Sequence, residues 1–279
     1  MTQLSDVSET ALVTLRARVT EAGKKNPVLT DPVGKKCLDR ILSLLPDERH
    51  QQFLNKKLSP VLTRYLAHRA RKYDIETVDF LRKHPGGLVV NLGCGFDTRF
   101  WRLPDQGIKY IEVDLPEVLE MKKEVLGDLI TYPLIKSSVL DEVWISHVAS
   151  IQTENVLFMA EGLFMYLPED KVVRTFKRIA ETFSNSYIVF EVVHERYTHG
   201  IWKKTVEKKM KRSIDSTAGS SYFYGIRKAG DIEKYHEKIR IIGEWSYFED
   251  RDVKPTFLRL FRFLKYFSRT QWTITAKIG

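Results

Sequence analysis

Leu88-Val89-Val90-Asn91-Leu92 is an apolar run that ends in Gly93-Cys94-Gly95, with Phe96-Asp97-Thr98-Arg99 following. Asp114 closes a second such segment, Tyr110-Ile111-Glu112-Val113-Asp114. A buried strand that runs into a Gly-x-Gly turn lets backbone approach a nucleotide closely. An acidic residue about 20 positions on, at the end of the next strand, can bind both ribose hydroxyls. The pair points to a nucleoside-containing cofactor. It departs from the dinucleotide pattern, whose third small residue is replaced here by Thr98. Asp97 also sets a carboxylate where a diphosphate would approach a helix N-terminus. S-adenosylmethionine suits these residues better, having a ribose, an amino-acid end, a sulfonium and no phosphate. The competing reading of Gly-x-Gly is an ordinary strand–turn of an α/β protein. A further carboxylate, Glu161, ends the apolar run Val156-Leu157-Phe158-Met159-Ala160, and a charge at the end of a buried strand needs a partner or a function.

These residues need a scaffold, and the pattern around them supplies one. Residues 1–84 read as mostly helical. Ser8-Glu9-Thr10 precedes an apolar start, and Thr30-Asp31-Pro32 and Pro46-Asp47-Glu48 can each open a helix. Helical spacing runs from Val61 to Leu81. Pro85-Gly86-Gly87 breaks it, and strands then alternate with helices: Leu88–Leu92, Lys109–Val113, a short Tyr132–Ile135, Asn155–Ala160 and Ser186–Val193, with helices from Leu115 and from Pro168. That alternation predicts a parallel, doubly wound sheet. Residues 195–235 break the rhythm and read as an inserted cap; Ile239–Phe248 and Gln271–Ile278 read as two last strands. The expected organisation is a helical segment over 1–84 packed on a core over 85–279.

The chain has 279 residues, of which 43% are hydrophobic, enough for one large core. The N-terminus lacks the basic and apolar regions of a secretory signal, and no segment approaches the ~20 apolar residues of a membrane span. With only Cys37 and Cys94 there is no disulfide framework, so a cytoplasmic setting is expected. No zinc-ligand spacing occurs, so no metal is expected. The net charge of +9 favours anionic partners, nucleic acid among them, although a basic surface can equally serve solubility.

Three blocks carry a family resemblance. They are Val89-Val90-Asn91-Leu92-Gly93-Cys94-Gly95-Phe96-Asp97-Thr98-Arg99-Phe100-Trp101-Arg102-Leu103, Glu112-Val113-Asp114-Leu115-Pro116-Glu117-Val118 and Ala160-Glu161-Gly162-Leu163-Phe164-Met165-Tyr166-Leu167-Pro168. In order and spacing the chain resembles the leucine carboxyl methyltransferase family, including its bacterial tetracenomycin carboxyl-methylase-type O-methyltransferases, from about Ser8 to Val193. The resemblance implies a class I S-adenosylmethionine-dependent methyltransferase: a mostly parallel seven-stranded α/β sheet with N-terminal helices and a helical cap. It implies that Gly93, Cys94 and Gly95 border the methionine part of the cofactor, that Asp114 binds the ribose, and that Glu161 lies near the amino-acid end or sulfonium. Arg71, in Ala70-Arg71-Lys72-Tyr73-Asp74, matches the arginine expected to pair with the cofactor carboxylate. Asp97, Leu115, Ser138 and Val139 complete the expected cofactor-binding set. Ser138 stands where the family often has an acid near the adenine, with Asp141 following.

Methyl transfer from a sulfonium is an in-line displacement in which the nucleophile must be aligned and water excluded. A carboxylate acceptor is already ionised; a hydroxyl needs a positioned base. His194 and His199, just after the fifth strand, are the base candidates, against solvated loop histidines; Tyr166 can orient substrate or simply pack. The first expectation is O-methylation of a small-molecule carboxyl or hydroxyl. The protein C-terminal leucine carboxylate comes second and RNA third. A non-catalytic S-adenosylmethionine-binding protein is the alternative of another class. Two basic features remain. Lys203, Lys204, Lys208, Lys209, Lys211 and Arg212 read as a solvated helix face or as a lure for an acidic substrate. Leu258–Lys265 reads as a core helix with one basic face, with a membrane-surface helix as the alternative.

Overall fold

The computed structural model describes residues 6–46, 48, 55, 58–105, 107–151, 153–214 and 221–279; for 6–9 and 209–214 only the backbone is described. Pro46-Asp47-Glu48 and the side chains of Lys209, Lys211 and Arg212 fall wholly or partly outside the described residues. Helices come first, among them α1 (Asp6–Ala22), α2 (Pro32–Leu44) and α3 (Pro60–Lys83). α1 begins at Asp6, ahead of the expected Ser8–Thr10 start. α2 starts as its sequence predicts. Asp31 takes the N-cap position and accepts the Gly34 N–H at 2.9 Å, with Pro32 in the first turn, where its missing N–H costs no bond.

The alternating part follows as β1 (Leu88–Leu92), β2 (Lys109–Asp114), α4 (Pro116–Leu126), β3 (Leu134–Lys136), α5 (Val143–Ala149), β4 (Val156–Ala160), α6 (Glu169–Thr182) and β5 (Ser186–Val193). After it come α7 (Gly200–Ile214), β6 (Ile239–Trp245), a four-residue α8 (Lys265–Ser268) and β7 (Gln271–Ile278). The strands form one sheet in the order β3-β2-β1-β4-β5-β7-β6. β1 to β5 are parallel, and β7 runs antiparallel between β5 and β6. β1 and β4 are buried throughout, as strands covered on both faces must be.

The sheet divides two cores. On one face Phe158, Phe190 and Val90 meet Val172, Phe176 and Ile179 of α6. Each such buried side chain contributes about 1.5–3 kcal/mol. On the other, Val89, Leu157, Met159 and Val189 meet Tyr73 and Phe80 of α3. The alternation of strand side chains carries that second face toward the C-terminal ends of the strands. There it presents Asn91, Glu112, Glu161 and Glu191 in place of apolar groups, at the point beside β1 and β4 where strand order reverses.

The segment after β5 is partly helical, as expected of a cap. α7 leads to an extended return in which Ile226 N–H donates to Val193 O at 3.0 Å and Phe223 N–H to Met165 O at 2.9 Å. Leu258–Lys265 departs from the expected core helix. Residues Thr256–Phe263 form a 3₁₀ helix in which no residue is buried.

Candidate active site

After β1 the chain turns through Gly93 and Gly95. Gly95 has φ +50°, and a Cβ placed there would come 2.9 Å from the Cβ of Ala11, so α1 lies directly on the turn. The Gly95 N–H donates to Asp114 Oδ2 at 2.7 Å and the Leu115 N–H to Oδ1 at 2.8 Å. Each carboxylate oxygen has a second lone pair for another donor, as a ribose diol would require. Burial raises the Asp114 proton affinity above that of an ordinary carboxylate, against the two N–H groups that lower it. Ser137 N–H donates to Asp114 O at 2.9 Å, which brings the exit of β3, with Ser138 and Val139, beside Leu115. Cys94 is buried and burial pushes its thiol well up, so this residue meets the turn as a neutral group.

Beneath the turn lies a network of buried ions. Asp97 accepts the Arg99 N–H at 3.0 Å, Arg99 Nη1 at 2.5 Å and Asn91 Nδ2 at 2.9 Å. Burial alone would raise its proton affinity, but Arg99, Arg102, Arg18 and Lys122 outweigh it and hold the carboxyl well below the usual range. Lys122, fully buried, donates to Asp97 O at 2.6 Å and to Glu112 at 2.8 Å, fastening α4 and β2 to the turn. Asp97 therefore sits inside the scaffold that shapes the turn.

Glu161 accepts Arg99 Nη2 at 2.6 Å and Arg69 Nε at 2.9 Å, and Arg69 Nη1 reaches Glu191 on β5 at 2.7 Å. These arginines outweigh the cost of burial and keep Glu161 ionised below the usual carboxylate range. Gly162, at φ +64°, lets the backbone pass under Arg69, since a Cβ there would lie 3.2 Å from Nη1. Arg71 is not brought to this group. It donates to Asp250 at 2.8 Å and to Asp252 at 2.8 Å, on the far side of α3. Helical pitch is the reason: Tyr65, Arg69 and Tyr73 recur every fourth residue and share the face over the sheet, whereas Arg71 is turned about 200° from Arg69.

Beyond Arg69 the site becomes aromatic. Tyr65 hydroxyl donates to Glu191, and the Tyr166 ring lies 5.6 Å from that of Tyr222. Burial and the nearby Glu191 push the Tyr166 phenol up to about 12. Burial also raises Glu191, more than Arg69 and Tyr65 lower it. His194 has other partners. Its Nδ1 accepts the Arg196 N–H at 3.2 Å, and partial burial and Arg196 lower its proton affinity. His199 Nδ1 lies 3.3 Å from Thr198 Oγ1. Among the described contacts neither histidine meets Glu161, Glu191 or Tyr166.

Sequence reasoning passed over Arg69, Tyr65, Glu191 and Tyr222. Glu191 had a readable signal, a lone carboxylate inside Ile188-Val189-Phe190-Glu191-Val192-Val193. Tyr222 had none, because its approach to Tyr166 depends on how the segment after α7 returns. Among the described residues no group of three or more His, Cys, Asp or Glu side chains is placed to hold a metal ion.

A family model for leucine carboxyl methyltransferase matches residues 10–180. The tetracenomycin polyketide synthesis O-methyltransferase of Streptomyces glaucescens is 28% identical over 258 residues, covering 91% of this chain and 88% of its own. An S-adenosyl-L-methionine-dependent methyltransferase of Gibberella zeae is 31% identical over 202 residues, 68% of this chain and 65% of its own. A solved structure from Thermobifida fusca, a candidate methyltransferase, superposes with a TM-score of 0.53 at 17% identity over 94% of each chain, a likeness of fold.

Proposed function

The chain belongs to the leucine carboxyl methyltransferase family and is an S-adenosylmethionine-dependent methyltransferase, and from that premise we propose that it methylates an oxygen of a small molecule. The observation that carries the reading is that Asp114, bonded to the Gly95 N–H, and the Glu161–Arg69 pair stand at the C-terminal ends of β2 and β4, the two strands that flank β1 and its Gly93–Gly95 turn. When bound, S-adenosylmethionine supplies a methyl group made electrophilic by its sulfonium. In this reading Asp114 takes the ribose hydroxyls, and the backbone of Gly93, Cys94 and Gly95 borders the amino-acid end. Leu115, Ser138 and Val139 flank the adenine. Arg69, rather than Arg71, holds the cofactor carboxylate, and Glu161 neutralises positive charge beside it. α1 over the turn and the tyrosines beyond Arg69 exclude water.

The acceptor then approaches from the side of Tyr65, Tyr166, Tyr222 and Glu191. Glu191 accepts from Tyr65 and Arg69 there and keeps lone pairs for a further donor, which favours an acceptor that brings a proton to donate, a hydroxyl, over a carboxylate. Glu191, with its raised proton affinity, is suited to take the proton of an acceptor hydroxyl. His194 stays outside this role. The test is transfer of radiolabelled methyl from S-adenosylmethionine into fractionated metabolites, protein and RNA. Alkali-stable label in the metabolite fraction supports a hydroxyl acceptor. Label released as methanol means a carboxyl acceptor, and label in protein or RNA overturns the small-molecule reading. With the hydroxyl acceptor in hand, Glu191→Gln is expected to lower kcat by about 10²–10⁴-fold. It should also remove an acidic limb of the rate profile lying above the ordinary glutamate range.

A further inference from the structure

Thr256–Phe263 is a 3₁₀ helix, and at three residues per turn its side chains fall into three straight rows. One row, Leu258 and Phe261, is half-buried and faces the protein, with the Phe261 ring 5.7 Å from Phe248. Phe248 in turn packs 5.6 Å from the buried Tyr247. The second row is apolar and open to solvent: Phe257 is 61% exposed, Leu260 66% and Phe263 70%. The third row holds Arg259 and Arg262, and Lys265 follows in step. Leu264, Tyr266 and Phe267 extend the exposed apolar surface into α8. Between residues 251 and 265 there are five cations (Arg251, Lys254, Arg259, Arg262 and Lys265) and one acid, Asp252, which is paired with Arg71.

Three large apolar side chains in a row are not held in water without a use, because each forgoes the gain of burial. The row is anchored from behind by Phe261, so it cannot fold inward to cover itself. Self-association through it would set Arg259 and Arg262 of two copies near one another, a like-charge contact. An anionic lipid surface meets both features at once, taking the apolar row among its acyl chains and the cations among its headgroups. We propose that residues 256–267 dock this protein peripherally on an anionic membrane surface. No helix among the described residues is long and apolar enough to cross a membrane, so the contact is an interfacial one.

Flotation of the full chain with phosphatidylcholine vesicles, with and without phosphatidylglycerol, tests this. The chain should float with the anionic vesicles, at least about tenfold more weakly with pure phosphatidylcholine, and less as salt rises. Phe257→Ser/Leu260→Ser/Phe263→Ser and, separately, Arg259→Glu/Arg262→Glu should each lower binding by about tenfold or more. Circular dichroism and the thermal midpoint should remain unchanged, since the altered side chains are not in the core. Absence of flotation, or flotation that both variants retain, overturns the proposal. A concentration-dependent dimer in sedimentation velocity that the triple substitution abolishes, without vesicle binding, reassigns the row to a second copy of the chain.

Discussion

At the scale of single residues, two side chains separate this site from a generic strand–turn. Asp114 holds two backbone N–H groups while keeping lone pairs for two more donors. Losing hydrogen bonds to a charged group costs about 1.5–3 kcal/mol each, so Asp114→Ala should weaken S-adenosylmethionine binding by about a hundredfold or more in calorimetry. Asp114→Asn, which keeps one acceptor oxygen, should lose less. Unchanged affinity in both would remove the cofactor from this turn. Arg69 and Arg71 form a matched pair for a second experiment. Arg69→Lys keeps the charge but not the planar fork, and should raise the cofactor Kd by about tenfold or more. Arg71→Lys faces Asp250 and Asp252 and should leave that Kd within about twofold. The opposite ranking would restore the arginine that the motif alone suggested.

At the scale of elements, the glycine turn is held by what lies behind it. Lys122 on α4 joins Glu112 on β2 to the carbonyl of Asp97, and both Lys122 and Glu112 are out of contact with water. Removing one partner of a buried pair leaves an uncompensated charge. Lys122→Met should therefore cost about 3–5 kcal/mol in urea unfolding. Glu112→Leu added to it should recover most of that, because the orphaned carboxylate is gone. A double variant no more stable than the single one would mean that the pair acts through the Asp97 carbonyl alone. The 3₁₀ segment after residue 255 is an element whose period matters in another way. Read at 3.6 residues per turn, it is a helix with one basic face and apolar side chains around the rest; at 3.0 they separate into rows, and one of its two apolar rows faces out.

For the molecule as a whole, the buried ions set a pH response with opposing parts. Asp31, Asp97 and Glu161 have folded values below their ordinary ones, so they stabilise the fold above the ordinary carboxylate range and lose that contribution as pH falls through their depressed values. Glu112, Asp114 and Glu191 are raised, so they favour the fold at acid pH and lose that contribution as pH rises through their raised values. Asp97→Asn should thus lower the thermal midpoint near neutral pH. Its difference from the unaltered chain should narrow as pH falls below about 4, where the unfolded aspartate takes up a proton. A difference that holds constant down to about pH 2 would show that Asp97 acts by shape and not by charge.

The sequence by itself determined the strand–turn at Gly93–Gly95, the alternation behind it, Asp114 and Glu161 at strand ends, and through three motif blocks the family and its cofactor. These are local features: periodicity, spacing and backbone conformation act over a few residues and leave their mark in residue type. Which arginine faces Glu161 was decided by the rotation of α3 against the sheet, and Glu191, Tyr65 and Tyr222 come together only when β5, α3 and the return after α7 pack. Which side of residues 256–263 ends inside was decided by the docking of Phe261 on Phe248 of the Tyr247–Phe248 turn, a packing choice that residue type alone leaves open. Long-range packing chooses among faces that local chemistry leaves equivalent, and the acceptor side of this site is built from those choices.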